Sequence, residues 1–141
     1  MSDVLYSLDM LRLAAATVDF PRLTNPDVTA ERRSVTCGSR IVIDLVFDAY
    51  GRVAAFGHQV NACALGQAAA TLFARHAVGR SAVEIRVASD SLALWLADRV
   101  AAQPDWPEIE RLEPARRYPA RHGSIRLAFE AATEAMQQVA A

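Results

Sequence analysis

Two cysteines and three histidines are the soft or titratable donors of this 141-residue chain. Cys37 stands in "VTCGSR", where a strand-like run meets Gly38 and Ser39. Gly38 can take a positive φ and turn backbone N–H groups toward the sulfur. Cys63 stands in "NACALGQAAATL", just ahead of a run of good helix formers. Amides at a helix N-terminus favour a thiolate, which is both the nucleophilic and the metal-binding form. The pair lacks a C-x-x-C spacing, so spacing alone leaves two readings open: small buried side chains, or two ligands of a metal site. Among the histidines, His58 alternates with Phe56 on a strand-like run, His76 is late in a helical run, and His122 sits in "YPARHGSIRLAFEAA" at a helix entrance. His122 stands out because a proline-arginine turn and a glycine surround it.

Other chemistries are excluded or weak. All fifteen basic residues are arginine, so neither a Schiff-base lysine nor a phosphate-loop lysine exists. There is no G-x-S-x-G, no H-E-x-x-H and no glycine-rich phosphate loop. Asp44 and Asp48 fall opposite the apolar positions of a strand, which predicts two solvated carboxylates rather than an acid–base pair.

The elements that must position these residues read as follows. Residues 3 to 16 predict a helix capped by Ser2 or Asp3, with Val4, Leu5, Leu8, Leu11 and Ala15 as its stripe. "DFPRLTNPD" ends it. Three strands follow: Val28 to Thr36, then "RIVIDLVF" with Ile41, Ile43, Leu45 and Phe47 on one face, then Val53 to Val60. "DAYGR" supplies a hairpin turn. Connections this short make the three strands an antiparallel meander. The ends of the first and third strands then share one edge region of the sheet, where Cys37 and Cys63 can meet. Residues 64 to 77 predict a helix ended by Gly79, "SDSLALWLADRVAAQ" a second with Ser89 or Asp90 as cap, and residues 123 to 139 a last one. Residues 81 to 87 fit either helix or strand. "PDWPEIERLEP" is a connector. Strands first and helices after predict an α+β fold, a three-stranded antiparallel sheet with helices packed on one face.

The chain is expected to be a single domain, residues 1–141. A net charge of −1 and a pI near 6.3 give no general pull on nucleic acid, and the Arg32-Arg33 and Arg116-Arg117 pairs are too short for a binding patch. No apolar run approaches the ~20 residues of a membrane helix. "MSDVLYSLDM" carries acids where a signal peptide carries basic residues, so the expected location is cytoplasmic. Cysteines there are more often free thiols or metal ligands than disulfides.

Several strings together resemble one family, the iron–sulfur cluster scaffolds that include IscU, SufU and the N-terminal domain of NifU. "LYSLDMLRLAA…FPRLTN" is similar to the family's opening helix and N-P-R-N turn. "CGSRIVIDLVFDAYGRV" resembles its C-G-D followed by an amphipathic strand and hairpin. "ACALGQAAATL" resembles G-C-A-x-S-x-A-S, and "RRYPARHGSIRLAFEAA" resembles the SufU-type R-x-x-P-x-R-x-K-C-x-x-L-x-W-x-A-L. The resemblance covers nearly the whole chain. It implies a site of three cysteines and one aspartate holding a nascent iron–sulfur cluster or, in some members, zinc. Cys37 and Cys63 match the first two cysteines. Ser39 replaces the aspartate and Ser124 the third cysteine. In a shifted register "HGSI" pairs with H-C-S-I, which makes His122 a ligand and Gly123 the missing cysteine.

Three functions are compared on that basis. The first is a non-enzymatic scaffold or carrier that binds a cluster or metal through Cys37 and Cys63, with His122, or else His58, completing the site. Two chains of a homodimer can pool four thiolates. The resemblance implies a cysteine desulfurase and apo-protein acceptors as partners. The second is a scaffold-fold adaptor that binds no metal and docks such a partner. The third makes Cys63 a nucleophile or persulfide acceptor.

Overall fold

The computed structural model describes residues 6–35, 38–98 and 100–140. Its order is helix α1 (Leu8–Ala15), strands β1 (Val28–Arg33), β2 (Arg40–Phe47) and β3 (Val53–Asn61), then helices α2 (Ala64–Ala77), α3 (Ala82–Ala97) and α4 (His122–Ala140). Short 3-10 segments lie at Ala16–Asp19, Ile109–Arg117 and Pro119–Arg121. The three strands pair antiparallel in chain order. This is the α+β meander with packed helices that the sequence predicts.

Ser7 caps α1, its hydroxyl accepting the Met10 N–H at 3.2 Å. The predicted caps Ser2 and Asp3 lie outside the described residues, as do Val4 and Leu5. The buried face of α1 is Met10, Leu13 and Ala14, while Leu8 and Leu11 are exposed, so the predicted stripe is the wrong side of the helix. Helix α2 sets this rotation. The buried Thr71 hydroxyl donates to the Leu13 carbonyl at 2.7 Å, satisfying one of the last carbonyls of α1.

Strand β2 is buried on both faces. Ile41, Ile43 and Leu45 lie in the main core with Phe56, Leu72, Phe73 and Phe129. The opposite face is covered by the segment after α1. The His58 N–H donates to the Phe20 carbonyl at 2.9 Å, and the chain then crosses β3 at Gly57, where any Cβ would collide with the Pro21 carbonyl. This crossing corrects the reading of Asp44 as solvated. Asp44 is fully buried and accepts from Arg22 at 2.6 and 3.1 Å, from the Leu23 N–H at 3.0 Å and from the Thr29 hydroxyl at 2.6 Å. Burial alone would raise its pKa, but the Arg22, Thr29 and Leu23 hydrogen bonds outweigh it and hold the carboxyl below the usual range. Asp48 is exposed and accepts from the Tyr50 and Arg52 N–H groups, closing the β2–β3 turn in which Gly51 takes φ 79°.

Helix α3 begins at Ala82, not at Ser89 or Asp90. Ser81 and Glu84 form a reciprocal capping box, so of the ambiguous residues 81–87, Ser81 is the cap and 82–87 are helical. The predicted connector is anchored by Trp106. Its indole donates to the Leu72 carbonyl at 3.0 Å, and its ring stacks on Phe73 beneath the Arg80 guanidinium. Glu108 holds the left-handed conformation at φ 67°, with its carboxylate bonded to His76 and close to Arg75 and Arg111.

Replacing Asp44 by Asn removes the charge that Arg22, Thr29 and the Leu23 N–H all address. The expected loss, read by urea unfolding at neutral pH, is on the order of 3 kcal/mol. The folded pKa of Asp44 is depressed, so its contribution is complete above the unfolded value of about 3.9 and fades as pH falls through the lower folded value. The Asn variant should therefore lose less stability than the parent on acidification below about pH 4.

Candidate functional site

Three chain segments meet at one end of the sheet. The first is the β1–β2 connection, where the Ser34 N–H donates to the Ser39 carbonyl at 2.8 Å and the Gly38 N–H to the Ser34 carbonyl at 3.1 Å. Gly38 has φ 72°, which gives the predicted turn its tightness. The second is the step from β3 into α2, where Cys63 is the N-cap residue. The third is the first turn of α4, led in by the 3-10 turn Pro119–Arg121.

The side chains converge. The Ser39 and Ser124 hydroxyls lie 3.0 Å apart, both residues being buried, and the Cys63 sulfur lies 3.5 Å from the Ser124 hydroxyl. Gly66, in the first turn of α2, makes this approach possible. A Cβ there would collide with the Ser124 hydroxyl and come within 2.9 Å of the Ala62 methyl. The small residues after Cys63 thus serve close helix packing, as their composition suggests, and Gly66 is the one that faces Ser124.

Electrostatics favour the thiolate. Half-burial by itself raises the Cys63 pKa. The Ser124 hydroxyl, the Gly66 N–H and the Arg121 guanidinium more than compensate, and the thiol sits below its usual range. Arg121 belongs to the proline-arginine turn noted in the sequence. Its effect on Cys63 is not legible there, since 121 and 63 become neighbours only when α4 packs on α2.

Cys63, Ser39 and Ser124 are brought together. Cys37 lies outside the described residues, two positions before Ser39. His122 opens α4, with its Nε2 3.3 Å from the Ala115 carbonyl and 3.2 Å from the Arg116 carbonyl. His58 is in the core instead, its ring edge-on to Phe20 and Phe56 and its Nε2 2.9 Å from the Thr17 carbonyl. Burial lowers its pKa, with the Thr17 carbonyl opposing. His76 pairs with Glu108 at 2.8 Å, the structural role its place in the helix suggests. Among the described residues no three His, Cys, Asp or Glu side chains converge as a metal-holding group, and no helix there is long and apolar enough to cross a membrane.

The class follows from the fold and this end-of-sheet cluster: an α+β domain of the kind found in NifU-like and SufU proteins. A crystal structure of a nitrogen-fixing NifU-like protein (N-terminal) from Brucella abortus matches with a TM-score of 0.86 and 33% identity over 98% of this chain and 96% of that one. The chain belongs to this NifU-like family. A putative iron–sulfur cluster assembly scaffold protein for the SUF system, from Fervidobacterium islandicum AW-1, shares the fold with a TM-score of 0.84 at 15% identity, over 96% of this chain and 99% of that one. A hypothetical protein of known structure matches with a TM-score of 0.75 at 20% identity, over 91% and 96% of the two chains. No family sequence model and no curated protein sequence matches the chain.

Alkylation of Cys63 tests the electrostatics. In a Cys37→Ser background the rate should rise with pH around a midpoint below the ordinary thiol value of about 8.5. Arg121→Ala and Ser124→Ala should each move that midpoint upward. Iodoacetamide kinetics read by intact mass would measure it.

Proposed function

We propose that this protein is a non-catalytic scaffold or carrier in iron–sulfur cluster assembly. Its cargo is a cluster, or zinc, held by the Cys37 and Cys63 thiolates, with His122 as a further donor. The observation that supports this reading is the convergence of Cys63, Ser39 and Ser124, the residues that the sequence resemblance matches to the family's ligand positions, in a chain 33% identical to a NifU-like protein. A thiolate-stabilising set of Ser124, the Gly66 N–H and Arg121 suits a soft-metal ligand. A cysteine desulfurase as sulfur source and apo-proteins as acceptors are the partners that fit this role, and the cytoplasm is the fitting location.

The donor set is short. Clusters are held by four thiolates, with histidine as a known replacement, and closed zinc sites take four N or S ligands. Ser39 and Ser124 offer neutral hydroxyls, which are poor ligands. Fewer thiolates mean weaker retention, which favours a carrier over a storage site.

A second reading, an adaptor without metal, is favoured by one feature. The Ser39 and Ser124 hydroxyls are hydrogen-bonded to each other, so the buried pair needs no ion. Anaerobic purification with iron, zinc and acid-labile sulfide analysis separates the two readings. Metal in the parent and none in a Cys37→Ser, Cys63→Ser variant is the expected result. Metal in neither, after reconstitution, would favour the adaptor. A Ser39→Asp, Ser124→Cys variant, which rebuilds the family's donors, should then bind zinc stoichiometrically and far more tightly than the parent.

A further inference from the structure

Helix α3 buries Ile85, Ala88, Leu92, Trp95 and Leu96 against the rest of the molecule. Its other side is exposed and carries three large apolar side chains among its charges. Val83, Val87 and Leu94 are 58%, 55% and 64% exposed, and they form one line with the exposed Asp90 and Ala97. The line 83, 87, 90, 94, 97 steps by four and three residues in alternation. That is the spacing of a helix-pairing seam, not of scattered surface apolars. An open groove of about 370 Å³ runs beside it, lined in part by Val83, Val87, Ala88 and Ser91 of α3 and by Gln103 and Asp105.

The seam is complementary to its own reverse. In an antiparallel pair centred between Val87 and Asp90, Val83 of one copy meets Leu94 of the second, and Val87 meets Asp90. The central Asp90 would be costly there without a cation. Arg86, beside Val87, supplies one from the second copy, and two-fold symmetry makes the contact twice. Among the described residues neither Arg86 nor Asp90 has an ion-pair partner within its own chain. A parallel pair would set Arg86 against Arg86 and Asp90 against Asp90.

We propose that α3 is the self-association surface of this protein, and that two copies pair antiparallel through Val83, Val87 and Leu94 with reciprocal Arg86–Asp90 contacts. The inference does not depend on the proposed function. It has a geometric consequence for the candidate site. The C-terminal end of α3 lies beside His122, the two sharing a groove lined also by Leu96, Ala97, Arg116 and Pro119. An antiparallel pairing therefore sends the two Cys63 sites to opposite ends of the dimer.

Sedimentation velocity of the full chain, up to about 1 mM, tests this. The parent should show a reversible monomer–dimer equilibrium, and Leu94→Asp should be monomeric with an unchanged circular dichroism spectrum. Arg86→Asp alone sets acid against acid, and Asp90→Arg alone sets arginine against arginine, so each should lose self-association. An equimolar mixture of those two variants restores both contacts and should dimerise. A parent that stays monomeric, a dimer indifferent to Leu94→Asp, or a mixture that fails to associate overturns the proposal. The first of these outcomes would leave the stripe to a different protein.

Discussion

The close contact between α2 and α4 at Gly66 is the constraint on which the site depends. Ser124 is in the first turn of α4 and Cys63 is the cap of α2, and they touch because position 66 has no Cβ between them. The same contact carries Ser124 to Ser39 just before β2, so one missing methyl lets three distant chain segments meet. A wedge there would push α4 away from the sheet and take Arg121 with it. The loss would fall on the thiol first, since the Ser124 hydroxyl and the Arg121 guanidinium offset its burial.

That site is chemically asymmetric. One side is a thiol whose pKa is lowered, against the effect of its burial, by a hydroxyl, a backbone amide and a cation. The other is a pair of neutral hydroxyls turned toward each other. The first arrangement suits binding a soft metal or sulfur, and the second suits a core that is stable when nothing is bound. Against the carboxylate and thiolate that the family resemblance implies, two serines remove two negative charges from a buried place, and with them the repulsion that an unloaded four-donor site must tolerate. On the proposed function, the apo form would thereby be stabilised relative to the loaded one, which moves the balance toward release.

Much of this was readable in the chain, for physical reasons that differ by element. The meander was legible because β2 is an apolar run rich in β-branched residues and broken only by Asp44, and its hairpin has Asp48 and Gly51. Helix α2 was legible to the residue because helix formers run unbroken from Ala64 and Gly79 follows. Asp44 was misread because alternation tells which face a residue is on, not what covers that face. The cover is the Phe20–Leu23 crossing, and only Gly57 hints at it. The rotation of α1 was misread because Leu8 and Leu11 are as apolar as Met10 and Leu13, and the choice between faces is made by Thr71 of α2. The meeting of Cys63 with Ser39 and Ser124 could be inferred through family resemblance, whereas Arg121 acts on Cys63 through packing alone.

The exposed side of α3 bears on how the short donor set is completed. Pooling thiolates from two chains requires the two Cys63 ends to face each other. A dimer built on α3 points them apart, so each chain would hold its cargo with its own Cys37, Cys63 and His122. Any remaining coordination position would then be filled from outside, by the protein that delivers the cargo or the one that receives it. A carrier benefits from that arrangement, because the incoming thiolate enters an open position and need not displace a bound one. The proposed dimer and the proposed carrier role thus fit a single logic: two independent sites at opposite ends of one assembly.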